Sequence, residues 1–248
     1  MESKHLILAA ALTGTFGLAT AAEAASLGIS DTAPTTNIID SHFADNNDFT
    51  GFRWPDGDAN KHKHGGQTFV VPTGETWSVQ AITVNFSSVG EEFDNKPIFV
   101  EIWDVGSDTN NPSLTNLSQL AFLSDTVNLP ATAMDLEGKY VTFNFDETAT
   151  LTAGNYGFLW GLDDPTSDDP EISFRAGRDG GQNIAGTTAW NKNGDGSSSA
   201  YGTLGTGTDN GDNKRDLEYY IHVPEPASVA LLGLGGLAML GRRRRASA

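Results

Sequence analysis

From Gln67 onward apolar and polar residues alternate with a period of two, the pattern of strands that bury one face. Phe69 to Val71 leads into the turn residues Pro72-Thr73-Gly74-Glu75, and Thr76 to Phe86 makes the next strand. In that strand Trp77, Val79 and Ala81 share one parity while Ile82, Val84 and Phe86 share the other, which predicts a bulge or strong bend near Ala81. Ile98, Val100 and Ile102 alternate with Phe99, Glu101 and Trp103, giving an aliphatic face and an aromatic, charged face expected to be wet. Leu120 to Leu129 predicts a short strand, and Val141, Phe143 and Phe145 mark the next core-facing set. Tyr156, Phe158 and Trp160 place three rings on one side and are assigned to the core. Ile172 with Phe174, a weak strand from Thr187 to Trp190, and Leu217, Tyr219, Ile221 and Val223 complete the pattern.

Turn residues separate these segments at intervals too short for the helical crossovers that parallel strands require. The expected fold is therefore all-β, an antiparallel two-sheet β-sandwich of jelly-roll-like order. Residues 67–223 form its core. Residues 25–66 are polar, with a local apolar group at Phe49, Phe52 and Trp54, and predict an N-terminal strand or two within long loops.

The two ends break the pattern. Residues 1–24 read as a helical secretory signal peptide: Lys4, an apolar stretch from Leu6 to Ala19, and Ala22-Glu23-Ala24 as a small-x-small cleavage site. Residues 224–248 begin with Pro224-Glu225-Pro226, continue with small and apolar residues from Ala227 to Gly241, and end in Arg242, Arg243, Arg244, Arg245 and a short tail. The prolines make the apolar run a new element. As a helix it spans about 22 Å, short of the roughly 30 Å of bilayer hydrocarbon, and the arginines can snorkel to the headgroups to make up the difference. The arginines predict a cytoplasmic end, with the large domain on the other side of the membrane.

The order Val223-Pro224-Glu225-Pro226-Ala227-Ser228, the stretch Leu231-Leu232-Gly233-Leu234-Gly235-Gly236-Leu237 and the arginine block resemble the PEP-CTERM sorting signal. The family commonly has Ser or Thr directly after Pro-Glu-Pro, where this chain has Ala227 and then Ser228. The resemblance implies export through the inner membrane with a transient transmembrane sorting helix. It also implies processing by an exosortase after the general secretion machinery, and delivery to the cell surface or extracellular matrix of a Gram-negative, polysaccharide-producing bacterium. It supplies an address and leaves the work of the exported domain open. The run from Gln67 through Trp160 diffusely resembles extracellular jelly-roll modules.

Composition narrows the partners. With 32 acidic against 15 basic residues the net charge is -17, which argues against nucleic acid, since phosphate binding needs a basic footprint. There is no cysteine, hence no disulfide and no thiolate chemistry. The exported domain must then be held by packing, and bound ions are a further candidate means.

Asp56, Asp58, Asn60, His62 and His64 alternate so that carboxylates and imidazoles of an extended segment fall on one side, a candidate metal set. Asp163, Asp164, Asp168, Asp169 and Glu171 form a second acidic cluster whose mutual repulsion a structural calcium ion would relieve. Asn191 to Gly196 resembles the start of an EF-hand loop, but Gly202 stands where the bidentate Glu belongs. Sugar rings stack on aromatic side chains, which makes Trp103, Trp190 and Tyr220 candidate carbohydrate-binding residues. Glu101 and Glu171 are the carboxylates to inspect for glycoside hydrolysis, both expected to face solvent. There is no nucleophile elbow, phosphate loop or dinucleotide fingerprint. The reading that follows is a non-enzymatic surface or matrix protein, with a lectin-like module that meets exopolysaccharide as the alternative and a polysaccharide hydrolase or lyase behind it.

Overall fold

The computed structural model describes residues 24–43, 48–53, 63–107, 109, 114, 119–162, 171–178, 189–193, 198–200 and 215–224. Among them are thirteen strands, every pairing antiparallel, joined into one network. They are β1 (Ser26–Ser30), β2 (Ile38–His42), β3 (Asp48–Arg53), β4 (Lys63–Val89), β5 (Pro97–Asp104), β6 (Leu120–Leu123), β7 (Val127–Asn128), β8 (Tyr140–Leu162), β9 (Glu171–Arg178), β10 (Ala189–Asn193), β11 (Ser198–Ala200), β12 (Arg215–Leu217) and β13 (Tyr219–His222). The only helices among the described residues are short 3-10 turns, such as those at Glu91–Phe93 and Ala133–Leu136.

The frame is a long ribbon of β4 against β8, running from Gly65↔Trp160 to Asn85↔Tyr140. Two irregularities interrupt it. Residues 72–75 of β4 intervene between the pairs Val71↔Gly154 and Thr76↔Thr152, and Gly74 takes a φ of 88°, which a side chain would strain. Residues 145–148 of β8 lie opposite the register shift between Val79 and Ala81, the place where the parity of apolar positions changes. The predicted bend near Ala81 is thus present. The predicted turn at 72–75 is an interruption within one 27-residue strand.

At these bulges the ribbon doubles back. Phe143 and Trp160 lie 17 residues apart on β8, about 56 Å along a straight strand, yet their ring centroids are 5.7 Å apart. Phe86 also meets Trp160, at 5.5 Å, and Phe158 meets Tyr219 of β13 at 5.6 Å. The two halves of the ribbon therefore face each other across one shared core, which includes Phe69, Val79, Ile82, Val100, Ile102, Val141, Phe143, Phe158 and Trp160.

Each half recruits its own neighbours. One half carries the order β11-β10-β4-β8-β5-β6, with β7 also beside β5. The other carries β1-β8-β4-β13-β2, with Ser26, Asn144, Ala81, His222 and Ile38 in one row. β9, flanked by β3 and β12, joins β4 at Phe86–Val89. Since β1 and β2 stand on opposite edges of the second half, residues 31–37 pass over its outer face. They are fastened there by an ion pair from Asp31 to Lys139 and a bond from the His222 side chain to the Thr36 backbone.

Candidate functional site

The densest polar group in the described fold sits on the outer face of the first half. Glu101 of β5 is 7% exposed, and Lys192 of β10 donates to its Oε1 at 2.7 Å and its Oε2 at 2.5 Å. Trp103 Nε1 donates to Oε2 at 3.0 Å, and His64 Nδ1 of β4 lies 3.3 Å from the same oxygen. The Lys192 ammonium also lies 4.6 Å from the centre of the Trp103 ring. Burial alone would raise the Glu101 carboxyl, but His64 and Lys192 together overcome it and hold the group down at about 2.

Glycines let these side chains close over the strand between them. A Cβ on Gly157 of β8 would lie 2.6 Å from the Trp190 ring, and one on Gly161 would lie 2.4 Å from the Phe99 ring. Trp190 consequently lies flat enough on β8 for its Nε1 to donate to the Phe158 carbonyl at 3.2 Å. The face expected to be wet is covered. The expectation that Glu101 faces solvent is corrected for the same reason: its cover comes from β10 and β4, remote in sequence.

A second buried carboxylate, Glu218, marks the point where the chain passes from β12, beside β9, to β13, beside β4. Tyr140 and Tyr220 donate their hydroxyls to its Oε1 at 2.8 and 3.0 Å, and Arg175 Nε lies 3.5 Å from Oε2. Here burial prevails, and the carboxyl is raised despite those partners. Nearby, Thr83 Oγ1 bonds His222 Nε2 at 2.8 Å and Thr142 Oγ1 at 2.7 Å. Burial lowers the His222 imidazole, outweighing its bond to the Thr36 backbone.

The three aromatic residues proposed for carbohydrate do not form a stacking platform. Trp103, Trp190 and Tyr220 are 3%, 0% and 6% exposed, because each ring packs onto a sheet face and spends its donor on a protein acceptor. Trp190 falls with Trp103, Val105 and Leu159 in a small apolar cluster separate from the main core. Of the proposed metal ligands, only His64 belongs to the described residues, and it is directed to Glu101 and, edge-on, to Phe99. Asp56, Asp58, His62, Asp163, Asp164, Asp168 and Asp169 lie outside them, and the Glu171 side chain is likewise not described. Among the described residues no group of three or more His, Cys, Asp or Glu is placed to hold a metal ion. The strand ends that lead into the two acidic segments are nevertheless neighbours, since Gly65↔Trp160 is the last β4–β8 pair before Lys63 and Leu162.

Lys192 was not among the residues singled out from the sequence. The available signal was its alternation with Trp190, which places the two on one side of a strand. Its partner Glu101 lies 91 positions away, and no local pattern joins them.

Beyond His222 the chain remains attached for one more residue. Val223 N donates to the Asn37 carbonyl at 2.9 Å, and Gln80 Nε2 donates to the Val223 carbonyl at 3.1 Å. Pro224 is exposed, and Glu225, Pro226 and Arg242 to Arg245 lie outside the described residues. No helix among the described residues is long and apolar enough to cross a membrane.

It is at this junction that similarity to known proteins begins. The chain carries a PEP-CTERM protein-sorting motif over residues 222–245. The motif supports a PEP-CTERM exosortase-substrate protein, and it implies an exosortase as processing partner and export to the cell envelope or surface of a Gram-negative bacterium. No curated protein and no solved structure matches the chain.

Proposed function

We propose that the chain is a non-enzymatic surface or extracellular-matrix protein, whose β domain is displayed outside the cell after exosortase processing of its tail. The observation that carries the reading is continuity: the matched motif starts at His222, the last residue of β13, so domain and address form one unbroken unit. The charged groups support a structural role. Glu101 and Glu218 each gather several partners from different strands, which fastens those strands together. The doubled ribbon, with its shared core, supports a two-sheet sandwich of jelly-roll-like order as the displayed scaffold.

In the matrix the domain meets exopolysaccharide as a neighbour. The net charge of -17 keeps copies apart and disfavours direct contact with anionic polymers unless cations bridge them. Calcium bound by the acidic segments that leave β4 and β8 belongs to the same reading.

The test is fractionation of the native host. The Pro224→Ala/Glu225→Ala double variant is expected to accumulate unprocessed in the inner membrane, while the wild type reaches the surface in a shortened form. Equal surface delivery of both would overturn the sorting reading. Release of reducing ends from the host's own polysaccharide by the purified domain would overturn the non-enzymatic one.

A further inference from the structure

An open strand at the border of a sheet presents unpaired backbone N–H and C=O groups to any chain that arrives, and β proteins commonly guard such borders. Several borders of this fold are guarded. β2 sets Asp40 and His42 opposite the core residues Ile221 and Tyr219. β3 begins with Asp48 and ends with Arg53, β6 is broken by a register shift against β5, and β11 is only three residues long. β1 has none of these devices. It reads Ser-Leu-Gly-Ile-Ser, uncharged and without proline, and stays in regular register with β8 through all five pairs. Among the described residues β8 is its sole partner strand. Leu27 packs against the main core, yet Ile29, on the same side of the strand, is 51% exposed at the open border.

The strand is also symmetric about its middle residue. Laid antiparallel against a second copy of itself with Gly28 opposite Gly28, it sets Ser26 opposite Ser30 and Leu27 opposite Ile29, so that each exposed Ile29 is covered by the other copy's Leu27. The hydroxyls fall together on the other face. In a chain of net charge -17 this neutral strand is a place where two copies approach without opposing carboxylates. The nearest charge, Asp31, which holds Lys139, falls opposite Ala25 in the same register. With the signal peptide removed after Ala24, as the sequence leads one to expect, Ala25 carries the terminal ammonium, and the two charges attract across the contact.

We propose that β1 is the surface through which two copies of this chain associate, edge to edge and antiparallel about Gly28. The contact is isologous, the same patch meeting itself across a twofold axis, so it closes at two copies. It runs the β1-β8-β4-β13-β2 half of one copy on into that of the other and leaves the remaining faces of both domains open. The inference goes beyond surface display by giving the displayed domain a partner, and it depends on neither the processing of the tail nor a bound ion.

The absence of native cysteine makes the contact measurable in the host itself. Gly28→Cys places one thiol at the centre of symmetry. A Cβ there meets the Thr142 Cβ at 3.5 Å, an ordinary contact, so the substitution leaves the strand in place. Directly opposed residues have Cβ atoms about 5 Å apart, within reach of a short bis-thiosulfonate linker. Leu123→Cys, 54% exposed on the edge strand β6, is the control for random collision. Gly28→Cys is expected to give several-fold more crosslinked dimer than Leu123→Cys, and Ile29→Lys added to Gly28→Cys to abolish the excess, because a charge at that position guards the edge. Equal or weaker crosslinking at position 28, or crosslinking that Ile29→Lys leaves unchanged, overturns the contact. The gel also separates processed from unprocessed chains, so the same preference for position 28 in chains that are never processed keeps this inference while the sorting reading fails.

Discussion

Two buried carboxylates with opposite shifts make a direct test at the level of single residues. Glu101 is held at about 2, below the ordinary 4.5, so its contribution to stability is present above pH 4.5 and is lost as pH falls through about 2. Glu101→Gln is expected to cost about 3 kcal/mol at neutral pH, because Lys192 keeps a buried charge without its partner. Urea unfolding at pH 7 and at pH 2 measures this, and the difference from wild type should shrink at the lower pH. Glu218 is raised, so the domain is favoured below the ordinary 4.5 and loses stability as pH rises through the folded value. Glu218→Gln keeps an acceptor for Tyr140 and Tyr220 and removes that charge. At pH 7 it is expected to cost much less than the Glu101 change or to stabilise slightly, and the same unfolding series reads the contrast. Neither role was legible in the sequence, where Glu101 reads as one polar position on a half-exposed strand. The residues that bury it, Lys192 and His64, reach it only through strand pairing.

Individual strands were largely legible from their period-two patterns, because alternation reports which side of a strand meets the core. The Tyr156, Phe158 and Trp160 stripe lies in the core as expected, and the change of parity at Ala81 falls at a register shift. Strand continuity was not legible. Pro72-Thr73-Gly74-Glu75 has the composition of a turn, but its flanking residues stay paired with the same partner, β8, and the ribbon continues through it. Glycines offer an element-level test of this register. A Cβ on Gly66 would lie 1.8 Å from the Phe158 carbonyl oxygen, a backbone atom fixed by the ribbon, whereas one on Gly157 meets the Trp190 ring. Gly66→Ala is therefore expected to destabilise by more than Gly157→Ala, for which overpacking suggests about 1–3 kcal/mol. Denaturant midpoints of the two variants compare them directly, and a smaller effect at Gly66 would contradict the assigned register.

For the whole molecule, the address was legible because it is local: proline positions, an apolar run and an arginine block stand next to one another in the chain. The three-dimensional arrangement that buries Trp103, Trp190 and Tyr220 is non-local and was not. The ion question is also posed at this scale. Millimolar calcium is expected to raise the thermal midpoint of the domain by a few degrees, corresponding to about 1 kcal/mol, and excess chelator to reverse the gain. Scanning calorimetry reads both, and an unchanged midpoint would count against a structural ion. The place of β13 in the sheet has a consequence for biosynthesis. It fills an interior slot between β4 and β2, yet it is the last of the described strands in chain order and is made after both neighbours. A nascent or prematurely terminated chain thus presents two open strand edges, the usual mark by which quality-control proteases and chaperones find unfinished products. Completion of the sheet and appearance of the sorting signal coincide to within a few residues of translation, so a chain that carries the address has also received its final strand.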